Sequence, residues 1–261
     1  MQSFKSGSEV IHFDDKGPKT DFAIIFLNSL GTDIRVWDKL LNVLGDHYRA
    51  VRLDKRGHGL STNYENNISI ENLAKDVGNL VDHLNLKNVC LVGLSIGGLI
   101  ALEFIKQRPK ICKKLILCDT APKIGSTDMW ADRIKRVQEG GIEAISDDIL
   151  ARWFSTSFLK DKSDELQMWR SMLTRTTKSG YIGCCEAISR CDLTDQAKII
   201  NLPTLVIVGE EDGSTPVNLV RDAANLIKNS VFKVIEKAGH LPCVEKPNEV
   251  GSTFMQFLEN N

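Results

Sequence analysis

The chain has 261 residues, 42% of them apolar and 26% charged, and a net charge of −1. That is long enough for one large α/β domain or two small ones, with the proportions of an ordinary globular protein. With no basic excess, neither nucleic acid nor an anionic membrane surface is expected as a partner.

The first fifteen residues, MQSFKSGSEVIHFDD, lack the apolar core and small-residue cleavage site of a signal peptide. From there, short apolar runs alternate with helical patterns. FAIIFL (22–27), RAVRLD (49–54), NVCLVGL (88–94), KLILCD (114–119), TLVIVGE (204–210) and SVFKVIE (230–236) read as buried strands of a mostly parallel sheet. Helical periodicity covers 36–45, 69–84, 96–107 and 217–228, and a last helix over 247–259 opens on Pro247 and Asn248. The alternation predicts an α/β fold, a doubly wound and mostly parallel sheet with helices on both faces. Between 122 and 192 no strand pattern appears and the periodicity is helical throughout. An insertion of that kind must lie outside the sheet, so 1–121 together with 193–261 are expected to form the core domain and 122–192 a helical cap. The most apolar stretches, FAIIFL and LVGLSIGGLIAL, are too short or too glycine-broken to span a bilayer. Seven scattered cysteines, among them the neighbours Cys184 and Cys185, read as buried reduced thiols and point to a reducing cytoplasm.

Chemistry concentrates at the ends of the predicted strands. GLSIGG (93–98) is a G-x-S-x-G match set between strand 88–94 and helix 96–107. Glycine and serine are common, and it is this placement that gives the match meaning: a serine on a sharp strand-to-helix turn projects its hydroxyl outward, and small neighbours permit the turn. Ser95 is therefore the expected nucleophile. A hydroxyl needs a base, and of the five histidines His240, in KAGHLPCVEKP after the last strand, reaches the same sheet edge. His58, in DKRGHGLS, is the competitor, its loop reading as a structural turn near the site entrance. His12, His47 and His83 read as surface or packing residues. Asp212, in VGEEDGSTP, is the expected acid that orients the imidazole, giving the chain order Ser, Asp, His. Asp119 is the alternative acid, and Glu210 and Glu211 read as solvated. Two amides should bind a developing oxyanion: that of Ile96, next to the nucleophile, and that of Leu30 in the loop NSLGTD after the first core strand, a loop shaped by Asn28 and Ser29.

These residues carry a family resemblance. NSLGTD followed by Trp37, then DKRGHGLS, GLSIGG, RWF (152–154), GYIGCCEAI (180–188) and AGHLPCVEKP are similar to the 3-oxoadipate enol-lactonases, α/β-hydrolases of the β-ketoadipate pathway for protocatechuate and catechol breakdown. The likeness runs over nearly the whole chain. The triad motifs belong to the superfamily at large; the NSLGTD loop and the cap segments are the specific part. The resemblance implies a small lactone as substrate, neither metal nor organic cofactor, and Trp153 in the cap as a substrate contact; Asn28 and Ser29 are expected to bind the substrate as well. Two departures are an isoleucine at 96 where many relatives carry methionine, and Cys184 where relatives often have a polar residue.

The lactone's acetate arm is an anion, yet 122–192 holds 11 Lys or Arg against 11 Asp or Glu, so the cap offers no net positive field. A particular arginine is then needed, with Arg133 the first choice and Arg152 and Arg175 the others. Of the cap aromatics Trp130, Trp153, Trp169, Phe154 and Phe158, most should pack the cap and Trp153 should face the site. Other hydrolases on the same scaffold (esterases, perhydrolases, carbon–carbon bond hydrolases) share the triad and differ in the cap. A receptor built on the same shell would show a damaged triad or oxyanion loop, which this sequence does not. A haloalkane dehalogenase would need a carboxylate where Ser95 stands.

Overall fold

The computed structural model of the chain describes residues 1–65 and 67–260. The valine-, isoleucine- and leucine-rich runs pair into the centre of an eight-stranded sheet, ordered β1-β2-β4-β3-β5-β6-β7-β8. The strands are β1 (Gln2–Ser6), β2 (Glu9–Lys16), β3 (Phe22–Leu27), β4 (Ala50–Leu53), β5 (Asn88–Leu94), β6 (Cys112–Cys118), β7 (Thr204–Gly209) and β8 (Val231–Ile235). From β4 to β8 every pairing is parallel, whereas β1 pairs β2 and β2 pairs β4 antiparallel.

The six expected strands are thus extended by an amino-terminal hairpin that the sequence reading did not anticipate. It turns at Gly7, whose φ of 65° suits glycine. Along β2, Ile11 and Phe13 are buried and alternate with partly exposed residues, the pattern of a strand with one covered face. Phe4 and Phe13 meet edge-on at 5.9 Å and close that face over His83.

In chain order the helices are α1 (Asp38–Leu44), α2 (Ile70–His83), α3 (Ile96–Gln107), α4 (Thr127–Gly140), α5 (Ser146–Trp153), α6 (Thr156–Asp161), α7 (Ser163–Thr174), α8 (Lys178–Ser189), α9 (Thr194–Lys198), α10 (Val217–Leu226), α11 (Pro242–Glu245) and α12 (Pro247–Asn260). The helix expected over 36–45 begins as a 3-10 turn, Ile34–Trp37, where the Asp33 side chain accepts Arg35 N–H and Asp54 accepts Ile34 N–H. Helix α2 opens on the Ser69 cap and buries Ile70, Leu73, Ala74, Val77, Leu80 and Val81, one stripe at helical spacing. Helix α3 is buried from Ile96 to Ile105, because it lies between the sheet and its neighbours.

Between β6 and β7 the chain runs only through helices, α4 to α9, and Leu193 N–H donates to the Pro122 carbonyl at 2.9 Å, tying the two ends of that excursion together. Strand β3 lies between β4 and β5, so the chain leaves it in one direction and returns on its other side. The carboxyl ends of β3 and β5 therefore flank a crevice at the switch point of the sheet, where open α/β sheets place their ligands. No helix among the described residues is long and apolar enough to cross a membrane.

Candidate active site

Ser95 sits between β5 and α3 with φ 57° and ψ −119°, a backbone conformation that a side-chain-bearing residue rarely takes. Its neighbours hold it there. Ser95 N–H donates to the Cys118 carbonyl at 3.0 Å, and its own carbonyl accepts from Thr120 Oγ1 at 2.7 Å and Gly98 N–H at 2.8 Å. The glycines around it are set by close approach: a Cβ at Gly97 would stand 2.1 Å from the Leu27 carbonyl oxygen, and one at Gly98 2.4 Å from Thr120 Oγ1. The motif thus brings α3 hard against the end of β3, where the NSLGTD loop begins.

His240 follows β8 and Asp212 follows β7, and the structure brings their side chains together, Nδ1 to Oδ2 at 2.9 Å, both buried. Asp212 Oδ1 also accepts from the amides of Ser214 (2.7 Å) and Thr215 (2.9 Å), and Oδ2 from the Thr215 hydroxyl (2.6 Å). Burial alone would raise its carboxyl, but His240 and these donors outweigh it and hold Asp212 below the ordinary range. An ionised Asp212 only accepts, so Nδ1 of His240 carries the proton and Nε2 is left without one, able to accept. Ser95 and His240 line one cavity.

Asp119, the alternative acid, also lies close: Asp119, Asp212 and His240 bring one donor atom each within 4.8 Å of one another, the only such cluster of potential metal ligands among the described residues. Asp119 Oδ1 accepts from Gly209 N–H at 2.8 Å rather than from the imidazole. Burial and the charge of Asp212 push its carboxyl well above the ordinary range, which favours its neutral form. Glu210 and Glu211 are exposed, accepting from the amides of Lys237 and Thr156.

Leu30 lines the cavity and Ile96 begins α3, where the first amide has no intrahelical acceptor. Asn28 differs from expectation. Its amide donates to the Thr32 carbonyl and it lies away from the cavity, so it braces the loop from behind and does not contact the substrate space. Ser29 does line the cavity. His58 is buried and not at an entrance: Nδ1 donates to the Arg56 carbonyl at 3.0 Å and Nε2 accepts the amide of Gly31 at 3.1 Å. Burial and nearby Lys55 hold it well below the usual histidine range, in the neutral form that this acceptor role needs.

The helices between β6 and β7 roof the cavity. Trp153, at the end of α5, lines it, and the Trp153 carbonyl accepts Leu241 N–H at 3.3 Å, just past His240. Glu245 adds a second stitch, accepting the amides of Gly239 (2.7 Å) and Ser155 (3.2 Å) on either side of that junction. Arg133 and Arg152 both line the cavity, while Arg175 lines a different cleft. Among the described residues neither Arg133 nor Arg152 has a carboxylate within 4.0 Å, and Arg133 lies over the Trp130 ring at 4.7 Å. Trp130, expected in the packing of the cap, is a second aromatic wall, joined by Tyr181. Trp130 and Arg133 are three residues apart on α4 and share a face, a spacing that the sequence already displayed. Trp169, Phe154 and Phe158 pack the cap as expected, with Phe154 and Phe158 stacked at 4.4 Å. Cys184 and Cys185 are fully buried, their thiols pushed upward by burial.

Residues 23–247 match the family model described as the alpha/beta hydrolase fold. The chain belongs to the α/β-hydrolase family. Within that family it is 34% identical over 227 residues to 3-oxoadipate enol-lactonase 2 of Acinetobacter baylyi, covering 86% of this chain and 84% of that one. The crystal structure of the enol-lactonase from Burkholderia xenovorans LB400 superposes with a TM-score of 0.95 at 31% identity, covering 99% of this chain and 100% of that one. A thermophilic esterase from Thermogutta terrifontis, solved with malate bound, follows with a TM-score of 0.92 at 28% identity, covering 99% and 98%. The resemblance to the enol-lactonases is therefore borne out over most of the chain.

Proposed function

We propose that this α/β-hydrolase is a carboxylic-ester hydrolase that opens 3-oxoadipate enol-lactone to 3-oxoadipate in the breakdown of aromatic compounds, with Ser95 as nucleophile, His240 as base and Asp212 as orienting acid. The observation that carries the substrate class is the pair of arginines without carboxylate partners, Arg133 and Arg152, in the cavity that holds Ser95 and His240. A face of aromatic side chains with two arginines that lack carboxylate partners suits a small, flat, singly carboxylated ring. The segment 122–192 acts as the cap that sets this specificity, over a core formed by the rest of the chain.

In the mechanism Ser95 Oγ attacks the lactone carbonyl carbon while His240 Nε2 takes the hydroxyl proton. The carbonyl oxygen becomes an oxyanion between the amides of Leu30 and Ile96. Collapse breaks the ring C–O bond, and the departing enol oxygen takes the proton from His240 and tautomerises to the ketone. Water then attacks the acyl-enzyme with His240 again as base, releasing the second carboxylate and restoring Ser95. An enol is a good leaving group, so the protein's task is mainly orientation. The seven unpaired cysteines, six of them buried, suit work in a reducing cytoplasm.

The test is turnover of enol-lactone generated in situ, followed by loss of its ultraviolet absorbance beside a simple aryl ester. Fast lactone turnover, well above that of the aryl ester, is expected. Good aryl-ester hydrolysis with no lactone turnover would keep the triad and discard the lactone. Arg133→Ala and Arg152→Ala separate the anion site from the chemistry. Losing a charged hydrogen bond is expected to raise KM for the lactone by about 10- to 100-fold, with kcat and the kinetics on a neutral aryl ester little changed. Equal loss on both substrates would remove these arginines from carboxylate binding.

A further inference from the structure

Lys55 is buried, 4% exposed, and among the described residues its ammonium has no carboxylate within 4.0 Å. A buried cation without an ion-pair partner is costly, and an apolar side chain of similar length would normally pack at less expense. Its hydrogen bonds instead run to two backbone carbonyls of the NSLGTD loop, Ser29 at 2.6 Å and Thr32 at 3.2 Å. The Ser29 carbonyl also accepts the Thr32 hydroxyl at 3.0 Å and, more loosely, the Thr32 amide at 3.3 Å.

That direction matters because the Ser29–Leu30 peptide is planar and trans, so its C=O and N–H point opposite ways. With the Ser29 carbonyl drawn to Lys55, Leu30 N–H points away from Lys55. Leu30 lines the cavity, and among the described residues its amide has no acceptor. The next amide, Gly31, is turned to His58 Nε2. The loop after β4 therefore fixes two successive peptides of the loop after β3. A flipped Ser29–Leu30 peptide would aim a carbonyl at the oxyanion position and an N–H at an ammonium, two repulsive contacts replacing two favourable ones.

We propose that Lys55 is a positioning residue for the oxyanion-binding amide: its ammonium holds the Ser29 carbonyl and so presents Leu30 N–H to the cavity. The proposal rests on the Ser95-centred acyl transfer above. The positive charge also polarises the peptide it holds, making the Leu30 N–H a stronger donor. Around the ammonium stand Asp33, Asp54, the Cys184 thiol and the His58 imidazole. Burial lowers Lys55 to about 8, while Cys184 is raised to about 12 and His58 lies well below the histidine range, so neither titrates with it.

The experiment is Lys55→Met, assayed on an aryl ester beside wild type and Ser95→Ala. Loss of one aligned oxyanion donor predicts a kcat about 10²-fold lower with KM unchanged. A trifluoromethyl ketone, which adds the serine as a tetrahedral oxyanion, should lose affinity in proportion to kcat/KM, whereas inhibition by a simple carboxylate stays as in wild type. A partly inactive preparation would lower kcat without weakening the ketone, and that pattern, like wild-type kinetics, overturns the proposal. Should Lys55→Met fail to fold, the wild-type profile decides: kcat is expected to fall several-fold at constant KM as pH rises through about 8 and the ammonium loses its charge, and a profile flat up to about pH 10, the ordinary lysine range, overturns the proposal. Activity surviving in Ser95→Ala would instead strike at the acyl-transfer reading itself.

Discussion

Asp212→Asn is expected to lower kcat by about four orders of magnitude while leaving the fold intact. Asp212 Oδ2 takes the Nδ1 proton of His240 at 2.9 Å and the Thr215 hydroxyl at 2.6 Å, and its other oxygen takes two amides. An asparagine can satisfy those amides with its one oxygen only by turning an NH2 toward Nδ1. That moves the imidazole proton to Nε2 and leaves no base facing Ser95. Asp119→Asn, beside that pair, should cost less than about tenfold, because the raised Asp119 carboxyl favours its neutral form and its hydrogen bond from the Gly209 amide survives the change.

The two substitutions also part in their pH dependence. The raised carboxyl of Asp119 holds its proton to higher pH in the fold, whereas the unfolded chain releases that proton above about pH 4. Its contribution to stability is therefore fullest below the unfolded value and declines as pH rises toward the folded one. Asparagine has no proton to lose, so the melting temperature of Asp119→Asn minus that of wild type should grow steadily from pH 4 upward. A constant difference would show Asp119 ionised in the fold, and a severe loss of kcat in this variant alone would move the orienting role to it.

Much of this was legible in the sequence because strand ends are where period-two burial stops and turn chemistry begins. FAIIFL, NVCLVGL and TLVIVGE are buried on both faces, so their apolar runs are unbroken and their ends sharp. GLSIGG and Asp212 each follow such an end, His240 follows the half-buried edge strand β8, and parallel strands bring those ends to one edge. The amino-terminal hairpin was not legible in the same way: its strands alternate polar and apolar residues over a few positions, a pattern that a loop can share. The bracing of the loop after β3 was hidden for another reason. Asn28, Lys55 and His58 are polar residues beside a site, and sequence offers no means of telling a group that faces the cavity from one that supports it from below. Only the bonds to Thr32, Ser29 and Gly31 decide that. Arg133 was readable as a cation in the cap, but its place over Trp130 depends on which face of α4 turns inward.

Ser95→Ala is expected to lower turnover by about six orders of magnitude, and Ser95→Gly by as much, yet the two should melt at different temperatures. The hydroxyl supports no cap bond at the start of α3, so removing it costs the fold little. What the fold holds at this residue is backbone strain, φ 57° and ψ −119°, kept in place by Cys118, Thr120 and Gly98. Alanine keeps the Cβ and with it the strain; glycine relieves it. Strain of about 1–3 kcal/mol exceeds the roughly 0.4–1 kcal/mol that glycine costs through the entropy of the unfolded chain. Ser95→Gly should therefore melt a few degrees above Ser95→Ala, at about 2–4 °C per kcal/mol for a chain of this size. Equal melting would mean that the elbow is relaxed by its neighbours. A higher-melting glycine variant would show that the sharp turn which exposes the Ser95 hydroxyl is held against the chain's own preference, stability given up where the proposed acyl transfer needs that hydroxyl to stand.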